Sequence, residues 1–129
     1  MKYLLDTHII LWSLIDDKRL PKEVKEIIKD NNNQIYYSTV STWEVELKHL
    51  KIKSFKLSGE EFAFLCDENY LLNLPIQNKH IYQLKNFINP EHKDPFDKLL
   101  LAQCLQENMV LISHDRKFKA YNLKNVMIV

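Results

Sequence analysis

Four acidic residues lie at corners where an apolar strand or a loop gives way to a helix, and their oxygens are the kind that divalent cations prefer. They are Asp6, Glu44, Asp97 and Asp115. Acids at the carboxyl ends of parallel strands converge in space even when they are far apart in the chain, because the functional crevice opens there. Carboxylates that converge repel each other unless a cation neutralises them. The pattern therefore predicts a metal-binding nuclease.

Two of these acids also have a structural explanation. Asp6 directly follows the apolar residues 3–5 and is a suitable N-cap for a helix that begins at Thr7. Glu44 ends the segment 41–44, which matches a capping box in which the glutamate reaches back to the amide of Ser41. Taken alone, the pattern around Glu44 favours capping over chemistry.

The later acids have capping roles of the same kind. Asp94 precedes Pro95, which makes it the natural N-cap of the next helix, and Asp97 then falls at the third helical position, where an acid suits the helix dipole. Asp115 is placed to cap a short helical turn at residues 116–118. Capping does not explain why a carboxylate recurs at all four corners.

Strand-like and helical segments alternate along the chain. We expect strands near residues 3–5, 35–40, 72–76, 109–112 and 126–129, with helices over 9–15, 21–30, 41–50, 60–70, 78–87 and 95–106. Such alternation predicts an α/β fold with a mostly parallel central sheet sandwiched by helices. At 129 residues, the chain is expected to form a single domain over residues 1–129.

Composition excludes several classes of enzyme. The single glycine, Gly59, cannot build a Rossmann or P-loop phosphate loop, nor the glycine-flanked serine elbow of a hydrolase. A haloacid-dehalogenase-type phosphatase needs a second aspartate two residues after Asp6, where this chain has His8. Cys66 and Cys104 lack paired spacing and are expected to be buried thiols.

The net charge says little about a nucleic-acid partner, because its formal value is only +1. Basic residues cluster in residues 48–56 and again in residues 116–119. Lys48, Lys51 and Arg116 are therefore candidate contacts to a nucleic-acid backbone. The five histidines show no paired ligand spacing, although His8 and His114 flank the acidic site and are candidates for binding phosphate.

No stretch of the sequence is long and apolar enough to span a bilayer. The apolar start is interrupted by Asp6 and His8, and no small-residue cleavage site follows. The expected location is the cytoplasm.

Four segments of the chain resemble a known family in the family's own order. Residues 4–12, LLDTHIILW, are similar to the opening motif of the PIN-domain ribonucleases, in particular the VapC-type toxins of bacterial toxin–antitoxin pairs. Residues 40–45, VSTWEV, resemble the second motif, residues 92–102, HKDPFDKLLLA, the third, and residues 111–115, LISHD, the fourth. The departures are Ser113 where threonine is common and Cys104 where a small residue is usual.

The resemblance implies a PIN fold and endonucleolytic cleavage of RNA with Mg²⁺ or Mn²⁺. It places Asp6, Glu44, Asp97 and Asp115 at the family's acidic positions, with Asp94 as a subfamily addition, and so reverses the preference for capping at Glu44. Asp6 and Asp97 are expected to be direct metal ligands, and Asp115 and Glu44 to act through water or to orient the nucleophile. A small antitoxin and a second copy of the chain are the partners that the resemblance implies.

Two other functions remain open at this point. The first is a catalytically silent PIN-like module that binds protein or RNA, against which the retention of all four acids argues. The second is a DNA or structure-specific nuclease, because metal-assisted hydrolysis does not itself distinguish the two sugars.

Overall fold

A five-stranded sheet in which every neighbouring pair is parallel forms the centre of the computed structural model, which describes residues 1–129. The strands are β1 (Lys2–Leu5), β2 (Gln34–Ser38), β3 (Leu72–Leu74), β4 (Val110–Ser113) and β5 (Val126–Ile128). The helices are α1 (Thr7–Leu14), α2 (Lys22–Lys29), α3 (Thr39–Lys51), α4 (Gly59–Glu68), α5 (Asn78–Tyr82) and α6 (Pro95–Glu107). The α/β prediction is confirmed, and the sheet is wholly parallel.

The strand order is β3-β2-β1-β4-β5, so β1 lies in the middle with β2 on one side and β4 on the other. The chain moves outward on one side of β1 first and returns later to build the other side. The carboxyl ends of β1 and β4 therefore flank the point where the strand order reverses, which is where open α/β sheets place their ligand crevice.

Helices cover both faces of the sheet because successive strand residues point in opposite directions. Leu5 and Ile112 face one core with residues of α1, α2 and α4, while Leu4 and Leu111 face the other with residues of α6. All four of these side chains are fully buried. Burying an aliphatic side chain of this size contributes about 2 kcal/mol, so both layers stabilise the sheet.

The helix that carries Glu44 begins earlier than its sequence pattern indicates. The hydroxyl of Ser38 accepts a hydrogen bond from the Val40 amide and caps α3, so β2 ends at Ser38. The strand predicted through Val40 and the helix start predicted at Ser41 are both wrong. Capping by Ser38 and burial of Val40 against α6 outweigh the β propensity of these residues.

Smaller differences occur at other helix ends. Pro21 precedes α2 as its N-cap residue instead of occupying the first helical position. The helix predicted through Phe87 narrows after Tyr82 into a 3₁₀ turn over Gln83–Asn86. None of the helices combines the length and the apolar character that crossing a membrane requires.

Candidate active site

One pocket gathers all the acids that the sequence singles out. Its volume is about 260 Å³. The residues that line it are Asp6, His8, Trp12, Glu44, Asp94, Asp97, His114 and Asp115. They come from the carboxyl ends of β1 and β4, from α1 and α3, and from the start of α6, so segments far apart in the chain converge as expected.

Asp6 caps a helix and faces the pocket at once, so its two alternative roles are compatible. Its Oδ1 accepts a hydrogen bond of 2.7 Å from the Thr7 amide at the start of α1. Its Oδ2 accepts a bond of 2.5 Å from the hydroxyl of Ser113 at the end of β4. Burial raises the pKa of Asp6, although these two hydrogen bonds oppose that shift.

Glu44 lies inside α3 and reaches across to α1. Its Oε1 accepts a hydrogen bond of 2.6 Å from the hydroxyl of Thr7, which is also 2.8 Å from the hydroxyl of Ser41. The capping box proposed for residues 41–44 is wrong, because Ser41 is an interior residue of α3 and caps no helix. Lys48, one turn further along, places its Nζ 3.8 Å from Oε2 of Glu44.

Asp94 and Asp97 occupy the first turn of α6. Asp94 is the N-cap, and its Oδ1 accepts from the amides of Phe96 and Asp97. Asp97 is buried, and this burial, followed by the charge of Asp6, raises its pKa from the usual 3.8 to about 9. Without a cation, the Asp97 carboxyl group therefore carries a proton at neutral pH.

Asp115 follows β4 and caps the 3₁₀ turn Arg116–Tyr121 by accepting a hydrogen bond of 2.9 Å from the Lys117 amide. Its own amide donates a bond of 3.0 Å to the hydroxyl of Ser113. Ser113 is buried and hydrogen-bonds to both Asp6 and Asp115, so it fixes their positions relative to each other.

His92 is the residue at this site that sequence reasoning missed. It is wholly buried, and its Nε2 lies 3.1 Å from Oδ2 of Asp97. Donor atoms of His92, Asp97 and Asp115 all lie within 4.8 Å of one another. The only sequence signal was the position of His92 within the third motif, because isolated histidines have no distinctive spacing.

The donor set fits a hard divalent cation. Carboxylate oxygens are the ligands that Mg²⁺ and Mn²⁺ prefer, and a cation offsets both the burial and the carboxylate repulsion that raise the pKa of Asp97. Asp97 and Asp115 belong to the group whose donor atoms could hold a divalent metal, and they share the pocket with Asp6 and Glu44.

The basic residues proposed to contact nucleic acid lie in two separate depressions of the surface. Lys48 and Lys51 line a groove that adjoins the acidic pocket, since Glu44 and Asp94 line both. Arg116 lies in a different depression with two lysines of the same 3₁₀ turn. His8 and His114 are exposed and both line the acidic pocket.

The sheet is wholly parallel, and carboxylates converge where its strand order reverses. These features define a class of α/β domain that could bind a divalent metal beside the carboxyl ends of its strands. The chain belongs to the PIN domain family, whose model matches residues 3–124. This match confirms the resemblance seen in the sequence motifs.

Solved structures with the same fold include toxin–antitoxin complexes. VapBC-1 from nontypeable Haemophilus influenzae has a TM-score of 0.72 at 20% identity, over 99% of this chain and 98% of that one. VapBC2 from Rickettsia felis, bound to a DNA fragment from its promoter, has a TM-score of 0.67 at 20% identity, over 100% and 98%. A toxin–antitoxin complex from Klebsiella pneumoniae has a TM-score of 0.64 at 21% identity, over 97% and 95%. No curated protein sequence matches this chain significantly.

Proposed function

We propose that this chain is a Mg²⁺- or Mn²⁺-dependent endoribonuclease and the toxin of a toxin–antitoxin pair. The observation that carries the proposal is the convergence of Asp6, Glu44, Asp97 and Asp115 in one pocket, each held by hydrogen bonds that fix its carboxylate. Membership in the PIN family and the fold shared with VapBC complexes support it.

In this proposal, Asp6 and Asp97 are direct ligands, and Asp115 and Glu44 bind through water or orient the attacking water. A bound Mg²⁺ or Mn²⁺ would supply charge for polarising the phosphodiester, a bound water of lowered pKa and stabilisation of the leaving oxygen. The chain's own contribution is orientation. Ser113 fixes Asp6, Thr7 fixes Glu44, and a hydrogen bond with His92 fixes Asp97, whose ionised form a bound cation would favour.

RNA is the proposed substrate, with its backbone lying along the groove that leaves the acidic pocket. Lys48 and Lys51 line that groove and would contact phosphates, while His8 and His114 line the acidic pocket and would contact the phosphate nearest the acids. Arg116 lies farther round the surface and would contact a longer substrate.

The same groove supports an antitoxin partner. It measures about 730 Å³, and its apolar lining comes from Leu47, Leu50, Ile52 and Phe96, the first three of which are exposed. A small antitoxin segment seated there would cover this apolar surface and block access to Glu44 and Asp94. A homodimer and a cytoplasmic location complete the proposal.

The test is cleavage by the purified, antitoxin-free protein. A panel of tRNA, rRNA, single-stranded DNA and duplex DNA would be incubated with Mg²⁺ or Mn²⁺ and then with chelator. Asp97→Asn removes one ligand, and Asp16→Asn is the matched control because Asp16 is an exposed aspartate away from the pocket. We expect RNA cleavage by wild type and Asp16→Asn, and none by Asp97→Asn or with chelator.

Other results would redirect the assignment. Cleavage confined to DNA would replace the ribonuclease with a DNA nuclease. Absence of all cleavage by folded protein that binds Mn²⁺ would favour a silent PIN-like module that binds protein or RNA. Full activity in Asp97→Asn would remove the proposed ligand role of Asp97.

A further inference from the structure

His92 lies behind the acidic pocket rather than in it. Its side chain is 0% exposed, and it is absent from the residues that line the pocket. Its ring packs edge-on against Phe118, with ring centroids 5.1 Å apart, and at a tilt against Tyr121, at 5.4 Å. Both aromatic residues belong to the 3₁₀ turn that Asp115 caps, so the same turn that carries Asp115 also holds the imidazole in place.

The imidazole has one partner, and that partner is Asp97. Nε2 lies 3.1 Å from Oδ2 of Asp97, whereas Nδ1 is buried with no hydrogen-bond partner. Orphaned N–H groups are rarer in protein interiors than orphaned acceptors, so we assign the proton to Nε2, where Asp97 can accept it. His92 thus donates to Asp97, and no other N–H group donates to that side chain.

Asp97 needs such a donor because its other neighbours repel it. The carboxylates of Asp6, Asp94 and Asp115 line the same pocket as Asp97, so like charges surround it. A neutral donor on Oδ2 stabilises the carboxylate and leaves Oδ1 for a cation. Partners of this kind orient metal ligands, and their loss typically weakens metal affinity by 10–100-fold.

We propose that His92 is a positioning residue that fixes the Asp97 carboxylate for cation binding through its Nε2–H···Oδ2 hydrogen bond. The inference rests on the proposed function, since it assumes that Asp97 is a ligand. It assigns His92 no contact with the cation or the substrate, because the pocket does not reach its ring.

The experiment measures Mn²⁺ affinity directly by calorimetry on folded, metal-free protein, with melting temperature as a separate readout. His92→Phe keeps an aromatic ring against Phe118 and Tyr121 and removes the donor, and His92→Leu does the same with a smaller side chain. His92→Gln restores an N–H near the position of Nε2. We expect roughly 10–100-fold weaker Mn²⁺ binding in the first two variants and recovery to within a few-fold in His92→Gln.

The matched control is His80, the second wholly buried histidine with a carboxylate partner. Its Nε2 lies 3.0 Å from Oε2 of Glu107, which does not line the acidic pocket. His80→Phe should lower the melting temperature and leave Mn²⁺ affinity unchanged. A merely structural role for His92 would make both histidine sites behave alike.

Wild-type affinity in His92→Phe or His92→Leu would overturn the inference, and so would failure of His92→Gln to restore binding. These outcomes are distinct from failure of the proposed function, which would appear as absence of Mn²⁺ binding or of cleavage in the wild-type protein itself.

Discussion

The hydroxyl of Thr7 donates a hydrogen bond of 2.6 Å to Oε1 of Glu44, joining the first residue of α1 to the middle of α3. Thr7 is fully buried and directly follows Asp6, so one corner of the chain supplies an acid and orients a second one. The bond holds the Glu44 side chain at the pocket that Asp6 also lines.

Removing the Thr7 hydroxyl should therefore reduce catalysis while the fold is kept. Thr7→Val is nearly isosteric but cannot donate, so Glu44 loses its fixed orientation, and we expect a roughly 10–100-fold lower cleavage rate. Thr7→Ser retains the hydroxyl and should stay close to wild type. Single-turnover cleavage measured beside melting curves checks this, and equal rates for Thr7→Val and wild type would contradict it.

Because the pKa of Asp97 is raised, replacing its carboxyl group with a neutral amide should stabilise the metal-free protein. Its pKa is 3.8 ordinarily and about 9 in the folded protein, so the folded state retains a proton that the unfolded chain releases. Stability from this group is therefore complete below about pH 4 and is lost as pH rises toward 9. Asp97→Asn removes the titration, and the metal-free variant should be more stable at neutral pH by up to about 4 kcal/mol, since each pH unit above the ordinary pKa costs wild type about 1.4 kcal/mol.

Melting curves from pH 5 to pH 9 in chelator measure this effect. The difference in melting temperature between Asp97→Asn and wild type should widen as pH rises, because only wild type loses stability through this group. Added Mn²⁺ should reverse the order by stabilising wild type selectively. A gap that stays constant with pH would show that burial of Asp97 does not govern its protonation.

Ser38 and Gln103 form a second buried link between site-bearing helices. The Ser38 hydroxyl caps α3 and donates a bond of 2.5 Å to Oε1 of Gln103 on α6, whose Nε2 donates to the Pro75 carbonyl. Gln103→Leu leaves the buried Ser38 hydroxyl without an acceptor for its proton, so we expect a loss of about 1–3 kcal/mol in the free energy of unfolding.

A double-mutant cycle with Ser38→Ala isolates this contact. The two substitutions share one hydrogen bond, so their combined cost should fall short of the sum by about 0.5–3 kcal/mol. Urea denaturation of the four proteins gives the coupling. Strict additivity would indicate that the Ser38–Gln103 bond does not contribute.

The sequence predicted the elements and acids whose signals are local. Asp6 and Asp115 follow apolar strands, and Asp94 precedes a proline at a helix start, so their positions followed from strand and capping patterns. The same logic misplaced the start of α3, because Ser41 and Ser38 are both serines that can cap a helix. The cap formed by Ser38 and the packing of Val40 in the core decide between them.

His92 and Gln103 could not be assigned by such signals. The burial of His92 depends on aromatic residues of a turn much later in the chain, and Gln103 finds its partner in Ser38, at the end of a distant strand. A polar residue inside an apolar helix indicates that a partner exists without identifying it. Motif resemblance located the acids, whereas the fold identifies the residues that hold them.

The position of Lys48 predicts a role in substrate binding that depends on salt. Its Nζ lies 3.8 Å from Glu44, and its side chain is about one-third exposed in the groove beside the pocket. If RNA follows that groove, Lys48→Ala should raise KM, leave kcat nearly unchanged and flatten the slope of log KM against log salt by about 0.7–1.

Lys53→Ala is the matched control, because Lys53 is an exposed lysine of the same basic stretch that does not line the groove. It should show the wild-type slope. Cleavage measured at several KCl concentrations separates the two variants. A fall in kcat without a change in slope would instead mean that Lys48 acts on Glu44, and equal slopes for both lysine variants would place the RNA on another surface.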